Sequence, residues 1–194
     1  MSLSHKTTTL FASYTHRRMQ WCRIHDEVSG LSRLKQEFLI YGFLGWMLEN
    51  CYNKLVTGRF IKPNFLHGPI KPMYGFGGVL LTESYRRYPS SFRYTSIVIP
   101  LFIEWCSGKW LDCRYQLKYW DYSREKVQLG GYICLKFAIY WVLLAQLVVR
   151  TIQPVLDKLL AVTGQMTLWQ AMFRSLLLDC AWTIYQHKKE IRQI

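Results

Sequence analysis

The stretch 129–149 constrains this chain more than any other, being apolar throughout except at Lys136 and Gln146. An α-helix needs about 20 apolar residues to cross roughly 30 Å of hydrocarbon. Four further apolar stretches, 38–56, 73–81, 94–110 and 166–182, lie around it, separated by basic loops. A mean hydropathy of -0.00 is low for several spans, and the net charge of +13 carried largely by those loops accounts for it. The 8 Trp and 13 Tyr fit the same picture, because both rings favour the membrane–water interface. The expected fold is all-α: a polytopic membrane helix bundle of about five short hydrophobic elements, multi-pass in the cell membrane.

Residues 1–36 read as a basic N-terminal extension, with Arg17, Arg18 and Arg23 interleaved with Tyr14, Met19 and Trp21. The extension is either a surface-lying helix or a partly ordered tail. Gly30 and Ser32 read as a break and an N-cap ahead of the membrane domain, 37–194. The element at 73–81 is too short to cross as a helix. It is either a re-entrant half-helix buried among its neighbours or a span extended through 82–85. Lys and Arg divide almost evenly between the two sides of a five-span topology, so the positive-inside rule selects no orientation.

Several function classes drop out. The positive charge is spread between apolar stretches and forms no nucleic-acid motif, so it reads as contact with anionic headgroups. The six cysteines form no CxxC pair, and the five histidines form no ligand pair at helical spacing, so no metal is expected. No cofactor is expected either. The glycines of Tyr74-Gly75-Phe76-Gly77-Gly78 do not make a phosphate loop, since no GxxxxGK[ST] occurs.

Carboxylates within apolar stretches are the sharpest functional signal, because a charge at membrane depth usually faces a partner or water. Gly42, Gly45, Glu49 and Asn53 share one helical face. Pro100, Glu104, Gly108 and Asp112 share another. Small residues at Gly42, Gly45, Gly75, Gly77 and Gly108 would let helices approach closely. Glu49 and Glu104 then either bind a cation or relay protons, or pair with a lysine such as Lys54, Lys109 or Lys136 to hold the bundle in register. Trp120, Asp121 and Tyr122 form a compact polar-aromatic cluster. It is either an interfacial turn anchored by its rings, or a functional loop in which Asp121 caps an element or holds Arg124.

Five segments occur in an order that is itself informative. They are Tyr41-Gly42-Phe43-Leu44-Gly45-Trp46-Met47-Leu48-Glu49, Gly68-Pro69-Ile70-Lys71-Pro72-Met73-Tyr74-Gly75-Phe76-Gly77, Glu104-Trp105-Cys106-Ser107-Gly108, Trp120-Asp121-Tyr122-Ser123 and Gly131-Tyr132-Ile133-Cys134-Leu135. Together, over about 38–145, they resemble the ABC-transporter type IV family of bacterial multi-pass membrane proteins. Lys71 stands where that family usually has Cys. The resemblance implies a permease-like membrane subunit of unknown substrate, with no catalytic role for any residue. An ABC permease works with an ATPase, and this chain has no Walker A motif, so a separate ATPase subunit is the implied partner. The bilayer is the other expected partner, nucleic acid is not one, and a homo-oligomer is left open. Two alternatives stand beside the permease. One is a non-transporting structural or regulatory membrane protein, and the other a membrane-embedded enzyme using Glu49, Glu104 or Asp121 as acid or base.

Overall fold

The computed structural model describes the backbone of residues 3–162 and 166–191 and the side chains of 30–160 and 167–189. Residues 1–35 and 36–194 are two compact units. The helices are α1 (Leu3–Thr57), α2 (Pro72–Arg87), α3 (Phe92–Tyr115), α4 (Leu135–Leu147), α5 (Gln153–Val162) and α6 (Met166–Ile191). A 3-10 turn, Pro89–Ser91, joins α2 to α3, and a π turn, Val148–Ile152, joins α4 to α5. The all-α expectation holds apart from a two-stranded antiparallel hairpin, β1 (Gln128–Leu129) and β2 (Ile133–Cys134).

Two expectations are corrected. Helical backbone runs through Gly30 and Ser32, where the sequence suggests a break. The apolar stretch at 129–149 is not one helix from its start. Gly130 and Gly131 take φ of 62° and 76°, the left-handed region that glycine alone enters freely. They turn the first residues of the run into the hairpin, and α4 begins only at Leu135. Of the five expected membrane elements, one lies in a helical stretch among the described residues, Leu135–Leu160, that is long and apolar enough to cross a membrane. The other four expected elements fall short of that measure. α2 has only 16 residues, and charged side chains lower the hydropathy of the others: Glu49 and Lys54 in α1, Arg93, Glu104 and Lys109 in α3, and Arg174 and Asp179 in α6.

The element read as either re-entrant or extended is a single 16-residue helix. Pro72 starts it, since proline's fixed φ suits the first helical turn and its missing N–H is no loss there. It ends at Arg87, and Pro89 follows. Its glycines receive aromatic rings from α1: a Cβ at Gly75 would lie 2.8 Å from Phe38, and one at Gly78 would strike Tyr41. Reciprocally, Gly45 of α1 receives the Tyr74 ring of α2. The two helices thus pack by rings into backbone, which any side chain at these glycines would prevent.

Two apolar clusters form the interior. Tyr41, Leu81, Phe92, Ala145, Val148, Val149 and Leu156 make one, and Leu39, Leu66 and Leu176 with Phe65, Trp169 and Phe173 make the other. The remaining interior is unusually polar. Glu37, Asn50, Lys71, Thr82, Ser96, Glu104, Gln153 and Thr183 are all buried. Large apolar side chains face outward instead, with Leu178 71%, Phe102 62% and Leu143 62% exposed.

Arg86 organises the interior where α1, α2 and α5 meet. Its guanidinium reaches Glu37 at 2.7 Å, Glu83 at 2.6 Å and Asp157 at 3.3 Å. The Gln153 amide donates to Glu37 and Asp157, and the Tyr41 hydroxyl donates to Gln153. A planar five-donor fork is suited to joining several carboxylates at once.

Candidate functional site

Glu49 lies on the α1 face that carries Gly42 and Gly45, and the chain after α1 folds back over it. Asn50, the next residue, fixes that return: its side-chain oxygen accepts the Lys62 amide at 2.8 Å, and its amide donates to the Trp46 carbonyl at 2.7 Å. The Lys71 amide donates to the Gly42 carbonyl at 3.0 Å, which seats the start of α2 against α1. Two ammonium groups thereby converge on one carboxylate oxygen of Glu49, Lys62 at 3.1 Å and Lys71 closer still. The Tyr74 phenol, in the first turn of α2, lies beside Glu49. Lys71 is only 7% exposed, and that desolvation lowers its pKa despite the opposing pull of Glu49.

Glu104 sits on the buried face of α3 formed by Pro100, Glu104 and Gly108. It is 3% exposed. Its two oxygens accept the Trp141 indole N–H at 2.8 Å and the Tyr122 hydroxyl at 3.1 Å. Burial, followed by the neighbouring Glu104 charge, pushes the Tyr122 phenol well above its usual range. No cation contacts Glu104 among the described residues, so its charge is offset only by neutral donors. The Tyr74 and Trp141 rings, 5.2 Å apart, connect the two halves of the site.

The lysines expected as partners are elsewhere. Lys109 lies over the Trp105 ring and Lys136 over Phe137. Lys62, Lys71, Tyr74 and Trp141 take those places. Lys71 and Tyr74 stand within one of the ordered motifs, where a lysine beside a tyrosine is the available signal; Trp141 stands in an apolar run with nothing to mark it.

The Trp120–Ser123 turn divides. Tyr122 joins the site through Glu104, and its ring stacks on Phe137 at 4.9 Å. Trp120 donates from its indole to the Tyr132 carbonyl at 2.9 Å and thereby closes the turn against the hairpin. Asp121 is exposed and accepts the Ser123 amide at 2.9 Å, a local turn contact that holds its pKa low and keeps it away from Glu49 and Glu104. Among the glycines, Gly108 packs against the Tyr132 and Trp120 rings of the turn rather than a helix, and Gly77 faces Ile103 of α3.

An apolar cavity of about 370 Å³ adjoins the site, lined by Leu48, Met73, Ile103 and Leu144 and reaching Tyr74 and Trp141. The site thus places one carboxylate paired with lysines and one held by neutral donors beside an apolar void. No group of three metal-ligating side chains occurs among the described residues.

A family sequence profile matches residues 36–184, a span containing every residue of this site. The chain belongs to the family described as Putative ABC-transporter type IV. Within this ABC-transporter family match lie the glycine stripe of α1, the start of α2, the Glu104 face and the Trp120–Ser123 turn. Comparison with curated proteins and with solved structures finds no match.

Proposed function

We propose that the chain is a membrane-embedded, permease-like subunit of an ABC-type transporter, multi-pass in the cell membrane, with the Glu49–Glu104 cluster as its polar centre. The observation that carries this reading is the inverted distribution of side chains. Charged and amide groups are buried, whereas the outward faces of α3, α4 and α6 carry Phe102, Leu143 and Leu178. Of the most apolar window in Leu135–Leu160, 17% is buried within the fold. Water would leave that surface uncovered at a cost of roughly 25 cal/mol per Å², and hydrocarbon would cover it. Short helices with interior charges are admissible in a bilayer when the charges face one another, as they do around Glu49 and Arg86.

Family membership supports the transport role, and energy would come from a separate ATPase, since these 194 residues carry no Walker A motif. The test has two parts. Alkaline carbonate should leave the full chain in the membrane fraction, and its release without detergent would refute the membrane reading. Mild-detergent purification should then recover an ATPase with it, and repeated recovery of the chain alone would refute the transporter assignment. A second reading, a membrane protein that transports nothing, is favoured by one observation: Lys62 and Lys71 already pair with Glu49. It predicts that Glu49 and Glu104 variants change stability but no uptake or growth phenotype.

A further inference from the structure

A second cavity, of about 400 Å³, shares Met73 with the apolar one. Its walls come from the loop before α2, the first turn of α2, the α3 face bearing Ser107 and Trp110, and the Tyr119-Trp120 pair. Its volume falls within the range of pockets that hold small molecules, and it far exceeds the voids that interior packing ordinarily leaves. Four rings, Phe65, Trp110, Tyr119 and Trp120, contribute to it. Phe65 and Trp110 meet edge to face at 5.7 Å, which makes that wall a fixed surface.

The polar lining is one-sided. The side-chain nitrogen of Asn64 is buried and has no hydrogen-bond partner. A buried N–H without an acceptor costs about 1–3 kcal/mol, so its presence calls for an acceptor that a ligand can bring. Lys71 is the one charged residue in the lining, and Ser107 adds a hydroxyl. No carboxylate among the described residues lines the cavity; Glu49 touches the Lys71 ammonium and is not part of the lining. The Lys71 ammonium has three N–H groups, so its contact with Glu49 leaves donors over. The first turn of α2 opens here too, its N-cap side chain making no capping hydrogen bond, and a helix N-terminus favours negative charge.

From these features we infer that this cavity binds an organic carboxylate with a flat apolar body, its carboxylate between Lys71 and the Asn64 amide and its body among the four rings. A single ammonium shared with Glu49 suits a monoanion better than a phosphate dianion. The inference goes beyond the permease reading and does not depend on it, since binding by the purified chain reports on the cavity whether or not transport is found.

The probe is 4-fluorobenzoate, followed by fluorine NMR on the full chain in detergent, with neutral 4-fluorobenzamide as the matched control. Saturable binding of the benzoate is expected, at least about tenfold tighter than the amide, because a charge-assisted hydrogen bond exceeds a neutral one by about that factor. Asn64→Leu removes the donor and should weaken the benzoate by a similar factor. Ser107→Phe fills the cavity and should abolish binding of both. Lys71→Met also strips Glu49 of a partner and risks unfolding, so the decision rests on the other two variants, each checked for wild-type melting. Three results would overturn the inference: no saturable binding by folded protein, equal binding of benzoate and amide, or binding unchanged in both variants.

Discussion

Replacing Glu49 and Glu104 each by Gln should give opposite results, although both carboxylates are interior and both stand on small-residue stripes. At Glu104 the two partners are a phenol and an indole. The carbonyl of a glutamine there can still accept the Trp141 N–H, and its amide can donate to the Tyr122 oxygen once that hydroxyl turns around. The Trp141 N–H and the Tyr122 oxygen each keep a partner, and Glu104→Gln should melt within a few degrees of wild type. At Glu49 the partners are two ammonium groups, and an amide cannot neutralise either. Glu49→Gln leaves Lys71 buried and unpaired, a situation that costs about 3–5 kcal/mol. For a chain of this size that corresponds to roughly 6–20 °C in Tm, taking about 2–4 °C per kcal/mol. Glu104→Leu supplies the control, because it orphans both the phenol and the indole N–H and should cost roughly 2–6 kcal/mol at about 1–3 per buried group. Thermal unfolding of the three variants in one detergent decides the matter. Equal losses for the two Gln variants, or a silent Glu49→Gln, would refute the division into a cation-paired and a neutrally held carboxylate.

Gly45→Leu should lower the melting temperature, since even a Cβ strikes the Tyr74 ring; Gly30→Ala, with nothing within 4 Å, should not. Wild-type melting of Gly45→Leu would remove the close packing of α1 on α2. Arg86→Met leaves Glu37, at 0% exposure, without its guanidinium and should cost about 3–5 kcal/mol, measured by denaturant or heat in detergent. The affinity for 4-fluorobenzoate should hold at neutral pH and fall as pH rises through the Lys71 pKa. Burial places that pKa below the ordinary 10.5, with Glu49, Lys62 and Tyr74 as its titratable neighbours, so a midpoint at or above 10.5 would contradict the burial of this lysine.

Periodicity makes some of this visible in the sequence. Glu49 and Glu104 are legible because spacings of three and four put each on one face with small residues, and helical geometry is local. Their partners are not legible, because none is local. Lys62 and Lys71 reach Glu49 across 13 and 22 residues, and Trp141 reaches Glu104 across 37. The hairpin is hidden for a different reason. Leu129, Ile133 and Cys134 are as apolar as the helix that follows, and hydropathy does not register the positive φ of Gly130 and Gly131. Asp179 weakens the case for a helix crossing at 166–182, yet it has a definite task. It accepts the backbone amides of His67 at 3.3 Å and Gly68 at 2.8 Å, which ties the loop before α2 to α6.

That tie bears on why so short and glycine-rich a helix as α2 keeps one position. Lys71, at its N-cap, is bound to Glu49 of α1, and Arg86, in its last turn, is bound to Glu37 of the same helix. The pairings run in opposite chain directions, so α2 lies antiparallel to 37–49. Fifteen residues separate Lys71 from Arg86 and twelve separate Glu37 from Glu49, about 22 Å and 18 Å at 1.5 Å per residue. The long side chains of Lys71 and Arg86 can take up the difference of about 4 Å. Between the two ion pairs the contact is made of rings on glycine, which gains dispersion energy from close approach but would tolerate sliding if nothing held the ends. A shift of α2 by one turn, about 5.4 Å, would part both ion pairs at once, taking the guanidinium from Glu37 and the carboxylate from Lys71. The buried charges therefore set the register that the glycines leave free, and the same Lys71 that sets it at one end also lines the second cavity.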